Sequence, residues 1–161
     1  METISEINSS AGDITSYGKM EFFPLNPEEV IFSASIKGMI EKGLEKNGLA
    51  VIYSYSNDEN ICPDNTMDIY KITGEILNNI VKYSGADFVK VFIKVKAKSV
   101  IIEVDDNGTG FDMKKTVQKN EGMGLERIIR RVELLNGSVT FFSNSDRTVV
   151  YVEIPLEVKN E

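Results

Sequence analysis

The sequence predicts an α+β two-layer sandwich: a mixed, largely antiparallel sheet covered on one face by three helices. Three observations predict it. Three segments place apolar residues at helical spacing, and five others read as strands. Their order is helix, strand, helix, two strands, long loop, helix, two strands. Helices and strands that each bury one face most simply stack as two layers. The 161 residues suit one domain of roughly 150 residues. We assign residues 26–156 to it, with tails at 1–25 and 157–161.

The first helix has a start signal. Asn26 suits a cap, Pro27 the first helical position, and Glu29 completes a capping box with Asn26. Phe32, Ile36, Met39, Ile40 and Leu44 follow at helical spacing, and Gly48 is the expected stop. Residues 49–55, LAVIYSY, read as a strand, and 56–65 as a turn-rich loop. A second helix is expected from Thr66 to Ser84, with Ile69, Ile72, Ile76, Ile80 and Tyr83 as its apolar stripe. Gly74 inside it costs about 1 kcal/mol against alanine, so it needs a packing or functional reason.

Val89, Val91, Ile93 and Val95 alternate with mostly polar residues, as do Val100, Ile102 and Val104. Such alternation makes strands with one buried face, here joined as a hairpin near Ala97. Residues 111–122 are polar and aperiodic and read as a loop. A third helix is expected from Met123 to Asn136, ended by Gly137, with Ile128, Ile129, Val132 and Leu135 as its core stripe. VTFFS and TVVYVEIPL form two last strands around a turn at Asn144–Arg147.

Composition excludes several chemistries. The chain has no histidine, which removes His-based triads, His-ligated metals and any phosphohistidine made on this chain. One cysteine excludes an intrachain disulfide framework and a multi-cysteine metal site. A net charge of -7 disfavours a nucleic-acid surface, which needs a basic field. There is no run of about 20 apolar residues to span a bilayer. The start, METISEINSSAGD, lacks the basic and apolar regions of a signal peptide. The expected location is cytoplasmic, with a membrane anchor left open for a longer parent protein.

Three constellations carry chemistry. Glu75 and Asn79, in EILNN, lie four apart and share a helix face. A carboxylate there can orient or deprotonate a hydroxyl, and an amide oxygen can ligate Mg2+. Lys82 follows and can meet phosphate charge. Taken alone this is an ordinary solvated ladder. VDDNGTGF, residues 104–111, ends a strand with Asp106, Gly108 and Gly110 at alternate positions. Glycine admits close approach by a ligand, and the carboxylate can accept from an exocyclic amine. Taken alone it is a hairpin-closing turn, and it lacks the twelve-residue EF-hand pattern. Gly122 and Gly124 open the third helix, where free amides attract anions. The segment has neither GK[ST] nor GxGxxG. Arg127, Arg130 and Arg131 read as solvated or paired. Together the three constellations provide what a pocket for a nucleoside triphosphate needs.

In this order the segments resemble the GHKL ATPase superfamily of gyrase, large heat-shock chaperones, mismatch-repair ATPases and histidine kinases. Within it, the chain resembles the catalytic ATP-binding domain of a sensor histidine kinase. YKITGEILNNIVKYSGA, residues 70–86, is similar to the subgroup N-box YRIxQExLNNxxKHSxA. VDDNGTGF is similar to the DxGxG box, and GMGL with RVELLNGSVTFFS to the next glycine box and closing strands.

The resemblance implies ATP and Mg2+ as cofactors. It implies Asn79 as the Mg2+ ligand and Glu75 as the general base or hydroxyl-orienting acid. Asn78 and Lys82 would contact phosphates, with Tyr83 beside them. Asp106 would receive the adenine amino group, Gly108 and Gly110 would shape the adenine side, and Thr148 would help hold an adenine-associated water. Gly122, Met123, Gly124 and Leu125 form the box that hinges a mobile lid to the phosphate-facing helix. The implied chemistry is transfer of the γ-phosphoryl group to a histidine on a dimerisation helix domain, with a response regulator downstream. The chain departs from the subgroup at Tyr83 (usually histidine), Gly74 (usually glutamine) and Arg147 (commonly glycine). It has no phosphoacceptor histidine, and we expect no paired-helix segment before residue 26, so the chain alone should be monomeric and unable to phosphorylate itself. An anti-sigma-type serine kinase and a non-catalytic nucleotide-responsive module are the competing readings.

Overall fold

The computed structural model describes residues 27–58, 61–110 and 123–157. Helix α1 spans Pro27–Gly43. The capping signal at Asn26 and Glu29, and the tail before it, lie outside the described residues or side chains. Phe32, Ile36, Ile40 and Leu44 are buried at the expected spacing. A 3-10 turn, Glu45–Asn47, follows, and Gly48 stops it in the left-handed region at φ 85°. There the Gly48 and Leu49 N–H groups close on the Glu45 and Leu44 carbonyls at 3.0 and 3.1 Å. Strand β1 spans Ala50–Asn57, two residues beyond the expected end. The Asn57 side chain closes the following loop, its Oδ1 accepting from the Ile61 N–H at 3.0 Å.

Helix α2 spans Thr66–Asn79, and the chain continues as a π-helical turn over Ile80–Ser84. The expected single α-helix therefore changes pitch at its end. The wider turn changes the phase of the apolar stripe: Ile69, Ile72, Ile76 and Ile80 are buried, but Tyr83 is 64 % exposed. Tyr83 thus leaves the core stripe in which its spacing had placed it. At Gly74 the neighbour from α1 is Met39, whose Sδ would lie 3.3 Å from an added Cβ, a tight contact with a flexible side chain.

Strands β2, Phe88–Val95, and β3, Ser99–Asp106, form the expected hairpin. Helix α3 spans Met123–Leu134, and strands β4, Ser138–Ser143, and β5, Thr148–Pro155, complete the sheet. The strand order is β1-β2-β3-β5-β4. Only β1 and β2 pair in parallel, and α2 provides the long crossover that such a pair requires. The other three pairings are antiparallel. The helices cover one face, where Val89, Val91, Ile93, Val100, Ile102, Val104, Val152 and Ile154 are buried. On the opposite face Ile52, Phe92 and Phe142 remain exposed.

The end of α3 differs from expectation in one detail. Asn136, not Gly137, takes the left-handed conformation, at φ 58°. The Asn136 and Gly137 N–H groups bond the Glu133 and Val132 carbonyls at 3.0 and 2.9 Å, a Schellman closure. Gly137 is required for another reason: a Cβ there would lie 2.5 Å from the Glu153 carbonyl oxygen of β5. Backbone cannot step aside as a side-chain tip can. Gly137→Ala is expected to cost about 1–3 kcal/mol, an overpacking penalty. Urea unfolding checks this through a lower midpoint at unchanged slope.

Candidate functional site

The alternation that buries Val100, Ile102 and Val104 carries one residue further, to Asp106. Its carboxylate therefore points to the core face of the sheet, and the residue is only 4 % exposed. Its Oδ1 accepts the Gly108 N–H at 2.8 Å. Burial pushes the Asp106 carboxyl above its ordinary value, the Gly108 bond opposes this, and the Asp105 charge adds to it. Thr148, the register partner of Asp106 on β5, is equally buried and shares a 2.8 Å hydroxyl contact with Ser143.

The glycines of the same turn are fixed by close approach. A Cβ on Gly108 would meet the Ser84 carbonyl oxygen, and lie 2.8 Å from Asp106 Oδ1. Gly110 has φ 74°, and a Cβ there would run into the Asn144 carbonyl oxygen of the β4–β5 turn. The π turn supplies the anchor on the other side, because Ser84 O accepts the Thr109 N–H at 2.9 Å. π turns frequently occur at functional positions. Here the turn ties the end of α2 to the acidic glycine turn after β3. Asn107 fastens the same turn to β2, its Oδ1 accepting from the Asp87 and Phe88 N–H groups at 3.1 and 3.0 Å.

The second cluster lies between α2 and the start of α3. Gly124 sits so close to α2 that a Cβ would be 2.6 Å from Asn79 Oδ1 and 3.1 Å from Glu75 Oε2. Glu75 and Asn79 thus share a helix face, as their spacing predicts, and that face meets the first turn of α3. Arg127 Nη1 donates to Glu75 Oε1 at 2.9 Å. Arg131 pairs similarly with Asp68 at 3.3 Å. Leu125 is buried and anchors α3 in the core. Asn78, Lys82 and Tyr83 are exposed. Gly122 and the loop before it, together with the Met123 side chain, lie outside the described residues.

Several residues of these clusters were not singled out by sequence. Ser84 lies on the serine of the N-box but was given no role there, and Ser143 and Asn144 act through hydroxyl and backbone contacts that leave no motif. Arg147 grips Asp105 with two bonds, Nε to Oδ1 at 2.9 Å and Nη2 to Oδ2 at 2.7 Å. That pair ties the β4–β5 turn to the end of β3. It also holds the Arg147 guanidinium above its already high ordinary value, chiefly through the Asp105 hydrogen bond.

The profile of the histidine kinase-, DNA gyrase B- and HSP90-like ATPases matches residues 64–158. The chain belongs to this family. It is 32% identical over 141 residues to the oxygen sensor histidine kinase NreB of Staphylococcus carnosus, covering 85% of this chain and 40% of that protein. It is 29% identical over 105 residues to the histidine-protein kinase/phosphatase DegS of Bacillus subtilis, covering 64% of this chain and 27% of that one. The chain therefore spans well under half the length of either relative. Among solved structures, Acinetobacter baumannii histidine kinase AdeS superposes with TM-score 0.64 at 18% identity, over 78% of this chain and 65% of that one. The histidine kinase domain of the Erythrobacter litoralis EL346 blue-light activated kinase gives 0.59, also at 18%, over 89% and 67%. These two establish the shared fold. The chain carries the ATP-binding catalytic domain typical of histidine kinases. No helix among the described residues is long and apolar enough to cross a membrane.

Proposed function

We propose that residues 26–156 bind ATP with Mg2+ and present its γ-phosphoryl group to a histidine supplied by a dimerisation helix domain. The observation that carries this reading is Asp106, a carboxylate on the buried face of an otherwise apolar strand. A charge at a core position destabilises the fold unless a donor meets it. The exocyclic amine of adenine is such a donor, and Gly108 and Gly110 let the turn beside Asp106 pack directly against Ser84 and Asn144. Thr148 and Ser143 stand beside them as hydroxyls for an ordered water.

At the other end Asn79 would hold Mg2+ through its amide oxygen. Among the described residues no group of three acidic or cysteine side chains could cage a metal. A single amide oxygen is compatible with Mg2+, which would keep water and phosphate oxygens as its other ligands. Glu75 would orient the incoming imidazole. Asn78, Lys82 and the amides of the Gly122–Leu125 box would meet the phosphates. Bound Mg2+ supplies charge neutralisation along the triphosphate. The protein's own contribution is positioning and electrostatics.

The chain has no histidine to accept the phosphoryl group, so the acceptor is a separate domain and the response regulator acts after it. We place the activity in the cytoplasm, where ATP is available. Calorimetric titration with a non-hydrolysable ATP analogue and Mg2+ tests the binding step. Absence of binding at millimolar nucleotide sinks it. Addition of a histidine-bearing dimerisation domain with Mg-ATP tests transfer, and acid-labile phosphate on that domain is the expected product.

A further inference from the structure

The contact between Glu75 and Arg127 is unexplained by the roles above. The two residues come from different helices, and Arg127 Nη1 lies 2.9 Å from Glu75 Oε1. Arg127 follows Gly124 by three positions on α3, so it shares the face that Gly124 presses against Glu75 and Asn79. Arg131 is engaged with Asp68, and Arg130 is exposed. Of the three arginines on this helix, Arg127 is therefore the one aimed at the Glu75–Asn79 face.

The pair is poorly suited to a structural task. The Arg127 side chain is 54% exposed and that of Glu75 22%. An ion pair this open contributes little to stability and exchanges partners readily. A guanidinium carries five N–H donors in a planar fork that matches phosphate oxygens in pairs. A single contact to one carboxylate oxygen leaves most of that capacity for another anion. A terminal phosphoryl group offers more charge and more acceptor oxygens than Glu75 does.

Resting on the proposed nucleotide reading, we propose that Arg127 is a triphosphate-sensing residue that exchanges partners. In the observed pairing it is held by Glu75. With a triphosphate bound, it transfers to the terminal phosphoryl group and releases the Glu75 carboxylate to face the acceptor. The diphosphate lacks the group that draws Arg127 away, so Glu75 stays paired. The same residue thereby selects triphosphate over diphosphate and couples that selection to exposure of the orienting acid.

The test is calorimetric titration of the wild type, Arg127→Gln and Arg127→Lys with the non-hydrolysable ATP analogue and, separately, with ADP, all with Mg2+. The expected result for Arg127→Gln is a loss of about tenfold or more in triphosphate affinity, the scale of a hydrogen bond to a charged group. ADP affinity should change by less than about twofold, since the group Arg127 reads is missing. Arg127→Lys should recover part of the triphosphate affinity, as a charge without the fork. Equal losses for both nucleotides, or no change for either, overturn the proposal while leaving the nucleotide site standing. A wild type that binds neither nucleotide overturns the site, and this inference with it.

Discussion

Asp106→Asn is expected to lower ATP-analogue affinity by roughly 10²–10³-fold while leaving the fold intact. The substitution keeps an acceptor for the Gly108 N–H, which Asp106 Oδ1 now receives at 2.8 Å. With the amide oxygen so engaged, the amide NH2 points where the second carboxylate oxygen was. An adenine amino group then meets a donor instead of an acceptor. Loss of a charged hydrogen bond, about 1.5–3 kcal/mol, combines with a buried unmet donor, about 1–3 kcal/mol. The free protein should respond in the opposite sense. Burial raises the Asp106 pKa above its ordinary 3.8, so ionisation of this group costs the folded state stability. The stability associated with its protonated form is complete below the unfolded value and is lost as pH rises through the folded one. At neutral pH the Asn variant should therefore melt at or above the wild-type temperature, and that advantage should vanish in acid. Nucleotide binding by the wild type should likewise weaken as pH falls through the raised value, starting at higher pH than for a solvated aspartate. Titrations and melts across a pH series check both halves. An Asn variant that binds like wild type removes Asp106 from the site.

Gly124→Ala should separate Mg2+ from nucleotide. The new methyl would sit 2.6 Å from Asn79 Oδ1 and 3.0 Å from Nδ2, with Glu75 Oε2 at 3.1 Å. These are the far ends of flexible side chains, so the fold can accommodate the methyl by moving them. Alanine also favours the helix over glycine by up to about 1 kcal/mol. The variant should fold as well as wild type, but with Asn79 displaced from its position. If Asn79 ligates Mg2+, the gain in nucleotide affinity that Mg2+ provides should fall by about 10–100-fold, the range seen when a ligand's orientation is lost. Parallel titrations with Mg2+ and with a chelator measure that gain directly. An unchanged gain excludes Asn79 as the ligand.

Most of the fold was legible because it rests on repeated signals. Period-two alternation marked β2 and β3 and set which face each buries. Helical spacing marked α1, α2 and α3. The glycines were harder to interpret. Gly137 reads as the stop of the third helix, but Asn136 takes the left-handed conformation that ends it and Gly137 instead clears the Glu153 carbonyl. A sequence records that a glycine is present, not which of its two uses applies. Tyr83 was misplaced because helical spacing assumes a constant pitch, and the π turn from Ile80 breaks it.

The site divides along the same line. Glu75 with Asn79, and Asp106 with Gly108 and Gly110, lie close together in the chain, so local periodicity suffices to put each set on one face or in one turn. Arg127 with Glu75, and Arg147 with Asp105, are 52 and 42 residues apart. Long-range pairs of this kind depend on how two elements dock, and single-position patterns carry no record of docking.

The sequence by itself determined the two layers, the order of the elements and the chemistry available. It also left any phosphoryl acceptor histidine to another chain or domain. Only the tertiary structure decided that Asp106 is buried, that Gly124 brings α3 against Asn79, and that Arg127 holds Glu75. Periodicity is a property of one element and is written in its residues. Burial and ion pairing belong to two or more elements at once, and exist only after those elements have packed.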